Sequence, residues 1–161
     1  MPQSLPLRVT IEDISWIWKS YSELKKDELY EILRFRQEIF AVEQQSWYLD
    51  ADGLDQDALH LLGTSNNDLV AYERLLVPGI KNSHASLGRI LVHEKYRGLG
   101  LGHHLVNEGM KKSKLIFPSI LITLSAQEHL EEFYKEHGFT KCGDPYIEDG
   151  IPHIEMISNE Q

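Results

Sequence analysis

The spacing of apolar residues changes several times along the chain, and each change marks an element. Ile14, Trp16 and Trp18 alternate with Ser15, Ile17 and Lys19, the two-residue period of a strand over 14–19. Leu29, Ile32, Leu33, Ile39, Phe40 and Val42 then follow a helical stripe that runs to about Glu43, with Ser22 or Asp27 as its candidate cap. Residues 60–63 and 69–77 flank Ser-Asn-Asn-Asp, a turn signal, and predict a hairpin. Residues 87–92 form a short run rich in branched apolar side chains, as a buried strand should be. Glycines follow at 98, 100 and 102, and after them Leu101, Leu105, Val106 and Met110 fall at helical spacing. A second buried strand is expected over 119–124. An amphipathic helix is expected over 126–137, with Leu130, Phe133 and Tyr134 on its apolar side and Gly138 as its stop. Residues 139–142 and 153–157 alternate well enough to close the sheet as an antiparallel pair, joined by the turn-rich stretch 144–152. The order is mixed α/β: one central sheet with helices on both faces, in a single domain over 1–161 behind a loose lead-in at 1–13.

The strand–glycine–helix segment carries the clearest chemistry. Glycines at a helix entrance permit positive φ and let the backbone approach a ligand closely. The free N–H groups of the first turn, together with the helix dipole, favour an anion there. Arg97 adds a permanent positive charge beside them. Residues 97–103 therefore read as a pyrophosphate cradle; the bland alternative is a glycine-rich turn with Arg97 solvated. A Walker loop is excluded, because Gly102 is followed by His103 and His104 rather than Lys-Ser/Thr. A dinucleotide fingerprint is excluded as well, because the place three after Gly100 holds His103.

Composition narrows the partners. In 161 residues, 42% hydrophobic and 25% charged is an ordinary globular make-up, and the net charge of −9 argues against binding a nucleic-acid backbone. That charge is compatible with a cationic or amine substrate, although a solvated acidic surface is the commoner explanation. A single Cys142 excludes an internal disulfide. With no apolar run long enough for a membrane span and no signal-like layout in 1–7, the expected location is the cytoplasm, away from membranes. The aspartates at 50, 52, 55 and 57 do not make a calcium loop. With Gly53 at the sixth position, Tyr48 and Leu59 occupy places that need acidic ligands. An exposed acidic loop near a substrate entrance is expected instead. His103 and His104 are adjacent, so they face different directions on a helix and make a poor metal pair.

Arg97, Gly100 and Gly102 supply R-x-x-G-x-G after an apolar strand, and F-Y-K-E-H-G-F at 133–139 lies one strand and one helix later. Together they resemble the coenzyme A loop and the closing F-Y-x-x-x-G-F segment of the GNAT N-acetyltransferase superfamily. R-F-R-Q-E-I-F-A-V-E-Q-Q (34–45), A-L-H-L-L (58–62), S-A-Q-E-H-L (125–130) and E-D-G-I-P-H (148–153) are similar to its ElaA-type branch. The resemblance implies an acyl-CoA N-acyltransferase fold with a mixed, mostly antiparallel sheet. It also implies acetyl-CoA as donor without a metal, and an amine acceptor. It places Leu91, Val92 and His93 on the pantetheine arm through backbone groups, and Arg97, Gly98, Leu99, Gly100, Leu101, Gly102 and His103 on the pyrophosphate. Tyr134 matches the tyrosine near the departing sulfur.

Transfer to an amine needs a neutral nucleophile. A lysine-like amine costs roughly 4.6 kcal/mol to deprotonate at pH 7, so a base is required. Glu43, Glu73, Glu155, His60 and His153 are the candidates; a mid-strand carboxylate such as Glu73 is expected to face solvent, and Glu43 and His153 complete the catalytic set with Tyr134. Cys142 has no evident activating partner and is not expected to act as an acyl nucleophile. A non-catalytic acyl-CoA sensor or regulatory module is the alternative function, and a homodimer is left open.

Overall fold

The computed structural model describes residues 8–159; the first seven residues of the expected lead-in lie outside them. Eight strands form one sheet: β1 (Ser15–Ser20), β2 (Ala58–Ser65), β3 (Asp68–Leu76), β4 (Ala85–Val92), β5 (Ile122–Gln127), β6 (Phe139–Lys141), β7 (Tyr146–Glu148) and β8 (Ile151–Ser158). The order is β1-β2-β3-β4-β5-β8-β6, with β7 hairpinned onto β8. Only β4 and β5 run parallel. The β2–β3 turn places Asn66 and Asn67 at φ 51° and 68°, a left-handed conformation that asparagine tolerates better than most residues. At the edge, Trp16 of β1 lies over Gly63 of β2, where a Cβ would come within 2.6 Å of the indole. That close approach requires glycine.

Helices cover both faces. On one, α1 (Lys26–Gln37) continues into a wider helical turn over Glu38–Glu43, and its Ile32, Phe35 and Ile39 pack on Leu62, Tyr72 and Leu91. Neither Ser22 nor Asp27 caps α1. Its first turn follows Lys25, whose N–H is accepted by the Glu28 carboxylate at 2.8 Å. On the other face, α2 (Leu101–Ile116) buries Leu105 against Leu61 and Val70, and buries Val106 against Leu75 and Leu87. Each such side chain contributes about 2 kcal/mol through removal from water. The short α3 (Glu131–Glu136) sits on the same face as α2 and buries Tyr134, and Gly138 ends it at φ 85°.

Three expectations shift. The strand expected at 119–124 lies at Ile122–Gln127, and the helix expected from 126 is regular only from Glu131. Both differ because Ala126 continues the inward alternation of Ile122 and Leu124. The stretch expected as a plain link holds β7. The acidic loop is exposed over much of its length and borders the cavity, but its aspartates are also tied down: Arg36, fully buried, bonds Asp50 at 2.6 Å and Asp55 at 2.7 Å. Arg74 bonds Asp52 at 2.8 Å and Asp55 at 2.9 Å, and Arg89 bonds Asp50 at 2.7 Å. Three guanidiniums and three carboxylates thus pin the loop to the sheet. Burial alone would push the Asp52 carboxyl up, but Arg74 outweighs it and holds the group well below the carboxylate range.

Glu73 corrects the expectation of a solvent-facing carboxylate. It is fully buried on the α2 side of β3, and neither oxygen has a hydrogen-bond partner. Gly109 of α2 is what admits it, since a Cβ there would stand 3.0 Å from a Glu73 oxygen and 2.8 Å from Leu87. Burial, reinforced by Glu108, pushes its pKa well above the usual range, which favours the neutral acid.

Candidate active site

The site exists because β4 and β5 pair only at Ala85–Ile122 and Ser86–Thr123 and then part. Arg89, at φ 52°, lies within β4, and the register with β3 shifts opposite it; such an irregularity bends a strand. A cavity of about 1040 Å³ fills the gap and reaches from the start of α2 to the β7–β8 hairpin. Beyond Ser86 the β5 side of β4 has no strand partner, so its backbone groups are available to a ligand.

At the α2 end, Gly98 and Gly100 take φ 83° and 82°, and Gly100 caps the helix. No protein atom lies within 4 Å of a Cβ built on either, so the backbone there is open to a close-fitting ligand. The first backbone bond of α2 runs from His104 N–H to the Gly100 carbonyl. The N–H groups of Leu101, Gly102 and His103 are therefore free of the helix ladder. Arg97 Nε donates to the Val92 carbonyl at 3.2 Å, and both terminal nitrogens bond the Glu43 carboxylate, one at 2.7 Å. This bonding holds Glu43 below the usual carboxylate range. His103 meets His137 at 2.8 Å between Nδ1 and Nε2, and its ring packs 4.7 Å from Phe133.

Midway stands Tyr134. Its ring packs edge-on against Phe133 and Phe139, and the residue lines the cavity. Its hydroxyl bonds no other described residue. Burial first, and then Glu73, push its pKa up to about 12.

At the other end, alternation places a polar cluster on one face of the sheet. Ile122, Leu124 and Ala126 enter the core, so Ser125 and Gln127 face the α1 side. Their cross-strand partners on β8 are Glu155 and His153. Ser125 bonds the Tyr146 hydroxyl and donates to Glu148 at 3.1 Å. His153 Nδ1 lies 2.7 Å from the Ile151 carbonyl, which can only accept, so Nδ1 carries a proton. Its Nε2 lies 3.4 Å from Glu148. Phe40 and Tyr48 flank the Arg89 guanidinium at 5.9 and 5.6 Å and, with Ile151, give this end apolar walls.

Leu91, Val92, Arg97, Gly98, Gly100, Leu101, Gly102, His103, Glu43, Tyr134 and His153 all line the one cavity. His93 and Leu99 stand outside it: the His93 N–H is taken by Val70 at 2.8 Å and its ring faces Phe35 and Tyr96, while Leu99 packs under α2. His60 is buried with both ring nitrogens engaged, by Tyr72 and the Asp55 carbonyl, and has no route to a substrate. Glu155 is exposed beside the cluster. Ser125, Tyr146 and Glu148 were not among the expected site residues, although Ser125 and Glu148 open two of the stretches that resemble the ElaA-type branch.

A sheet parted between two parallel strands, with a glycine-lipped helix start at the gap, defines the acyl-CoA-dependent acyltransferase class. The acetyltransferase (GNAT) domain model matches residues 22–159, and the chain belongs to that family. A UPF0039 protein of Synechocystis is 45% identical over 90% of this chain and 95% of its own. ElaA of Escherichia coli is 39% identical over 89% and 95%, and its crystal structure matches with a TM-score of 0.86 over 91% of this chain and 99% of that one. An acyl-CoA N-acyltransferase from Pseudomonas aeruginosa matches at 0.88 and 36% identity over 91% and 99%. These likenesses place the chain in the ElaA-like branch of that family.

Proposed function

We propose that the protein is an acetyl-CoA-dependent N-acetyltransferase in which a primary amine attacks the thioester directly, with both substrates bound at once. The observation that carries this reading is the single cavity that joins the glycine cradle to the Ser125–Glu148–His153 cluster past Tyr134. The backbone at Gly98 and Gly100 is open where a Cβ would intrude, which fits a pyrophosphate held by the N–H groups of 101–103. The unpaired side of β4 at Leu91 and Val92 suits the amides of a pantetheine arm, and an N–H on that strand can polarise the thioester carbonyl.

His153 is the base. In its neutral form the proton sits on Nδ1, which leaves the Nε2 lone pair beside Glu148, and Glu148 then stabilises the imidazolium once formed. The bound ammonium gives one proton to Nε2, the neutral nitrogen forms the C–N bond, and its second proton leaves through solvent. The C–S bond breaks, and the sulfur leaves with the electron pair. Tyr134 donates a hydrogen bond to that sulfur and does not surrender its proton. A phenol at about 12 protonating a thiolate whose thiol lies near 8.5 would run uphill by about 5 kcal/mol. Solvent supplies the thiol proton, and His153 returns its own to water.

Initial-rate kinetics over a grid of both substrate concentrations test this order. Intersecting lines support simultaneous binding; parallel lines mean an acetylated enzyme intermediate and refute it.

A further inference from the structure

We infer that the acceptor is a primary ammonium on an aromatic or branched apolar stem, with no carboxylate next to the amine. The inference rests on the reading of the cavity as an acetyltransferase site, and it concerns the end of the cavity formed by β5, β7 and β8.

Charge decides the first part. Two arginines line the cavity, Arg74 and Arg89, and aspartates of the acidic loop already neutralise both. Arg74 places two nitrogens on Asp52, each at 2.8 Å, and shares Asp55 at 2.9 Å. Arg89 is held by Asp50 at 2.7 Å and lies 3.4 Å from Asp52. The carboxylates of the β7–β8 hairpin have no such counter-ions among the described residues. Glu148 has only the Ser125 hydroxyl and the neutral-or-charged His153 ring beside it, and about half of its side chain is open. Asp149, next to it, also lines the cavity. Lys81 lines the cavity too, from the loop before β4, but bonds none of the cluster residues. The position beside His153 Nε2 is therefore flanked by unpaired negative charge, which attracts an ammonium and repels a carboxylate on the adjoining carbon.

The walls decide the second part. Ile39, Phe40, Tyr48, Leu49 and Ile151 line the same cavity, and Leu49 is four-fifths exposed. They offer apolar surface to a stem. Glu148 thus binds the ammonium, and His153, 3.4 Å away, receives the proton that leaves it.

Calorimetry on protein saturated with free coenzyme A tests this without turnover, using phenethylamine and phenylalanine, which share the stem and differ by one carboxylate. Phenethylamine should bind at least about tenfold tighter, and Glu148→Gln should bring the two within about threefold of each other by weakening the amine. Glu148 lies on an exposed hairpin, so the variant should fold, with an unchanged melting temperature as the check. Equal or tighter binding of phenylalanine, no binding of phenethylamine, or a Glu148→Gln variant that keeps the preference would overturn the inference. Failure of the acetyltransferase reading looks different: phenethylamine binds with the stated preference, yet no thiol is released from acetyl-CoA.

Discussion

Glu43 closes on Arg97 with both carboxylate oxygens at the lip of the glycine cradle, so the arginine expected to meet a diphosphate is already paired. The two come from distant parts of the chain, the helical turn after α1 and the loop before α2. A carboxylate paired with a guanidinium is a weak proton acceptor, and we propose Glu43 as counter-ion rather than base. Glu43→Gln should tighten coenzyme A binding by about two- to fivefold, the scale of a half-exposed ion pair, and leave kcat within about twofold. A collapse of kcat with unchanged affinity would return Glu43 to the base position.

Gly100 sits at φ 82° with open cavity beside it. Gly100→Val should cost about 1–2 kcal/mol of stability from the left-handed backbone alone. It should cost more than tenfold, above about 1.4 kcal/mol, in coenzyme A affinity. Calorimetry and thermal melts on the same variant separate the two; an affinity within twofold of wild type would move the diphosphate elsewhere.

Glu73 should make the fold pH-sensitive in a direction opposite to that of most carboxylates. Its folded pKa is raised, so the stability linked to its proton is whole below about 4.5, where the unfolded chain also holds the proton. That stability is lost progressively as pH rises toward the folded-state value. Glu73→Gln removes the loss. Melting temperatures of wild type and variant should meet near pH 4 and separate with the variant higher as pH climbs to 8. Parallel curves would mean that the carboxyl is ionised in the folded protein.

Asp55 joins two buried arginines, Arg36 and Arg74. Asp55→Ala leaves both partly unpaired in the interior and should cost about 3–5 kcal/mol in urea unfolding. A loss below about 1 kcal/mol would show that water reaches the network.

What could be read from the chain follows the range of the interactions. The β4–glycine–α2 unit is contiguous, and its period, glycines and arginine lie within a few turns of one another, so strand, loop and helix were all legible. The ion pairing of the acidic loop was not legible because its partners Arg36, Arg74 and Arg89 lie 14 to 39 residues away and no local pattern pairs them. The same holds for Glu148: its place beside Ser125 and His153 depends on β7 folding back on β8 and β8 pairing with β5. Glu73 broke the usual rule because Gly109, on a helix 36 residues further on, makes room for it.

The central claim is that one cavity carries an acetyl group from a thioester at the glycine cradle to an amine at His153. Mixing the protein with acetyl-CoA and phenethylamine, and following thiol release with the masses of amine and protein, tests it most directly. The account predicts thiol and N-acetylphenethylamine in equal amounts, no acetyl group left on the protein, and a rate about 10- to 100-fold lower for Tyr134→Phe. Coenzyme A and phenethylamine both bound with no acetylated amine formed, or the acetyl group found on Cys142, would contradict it.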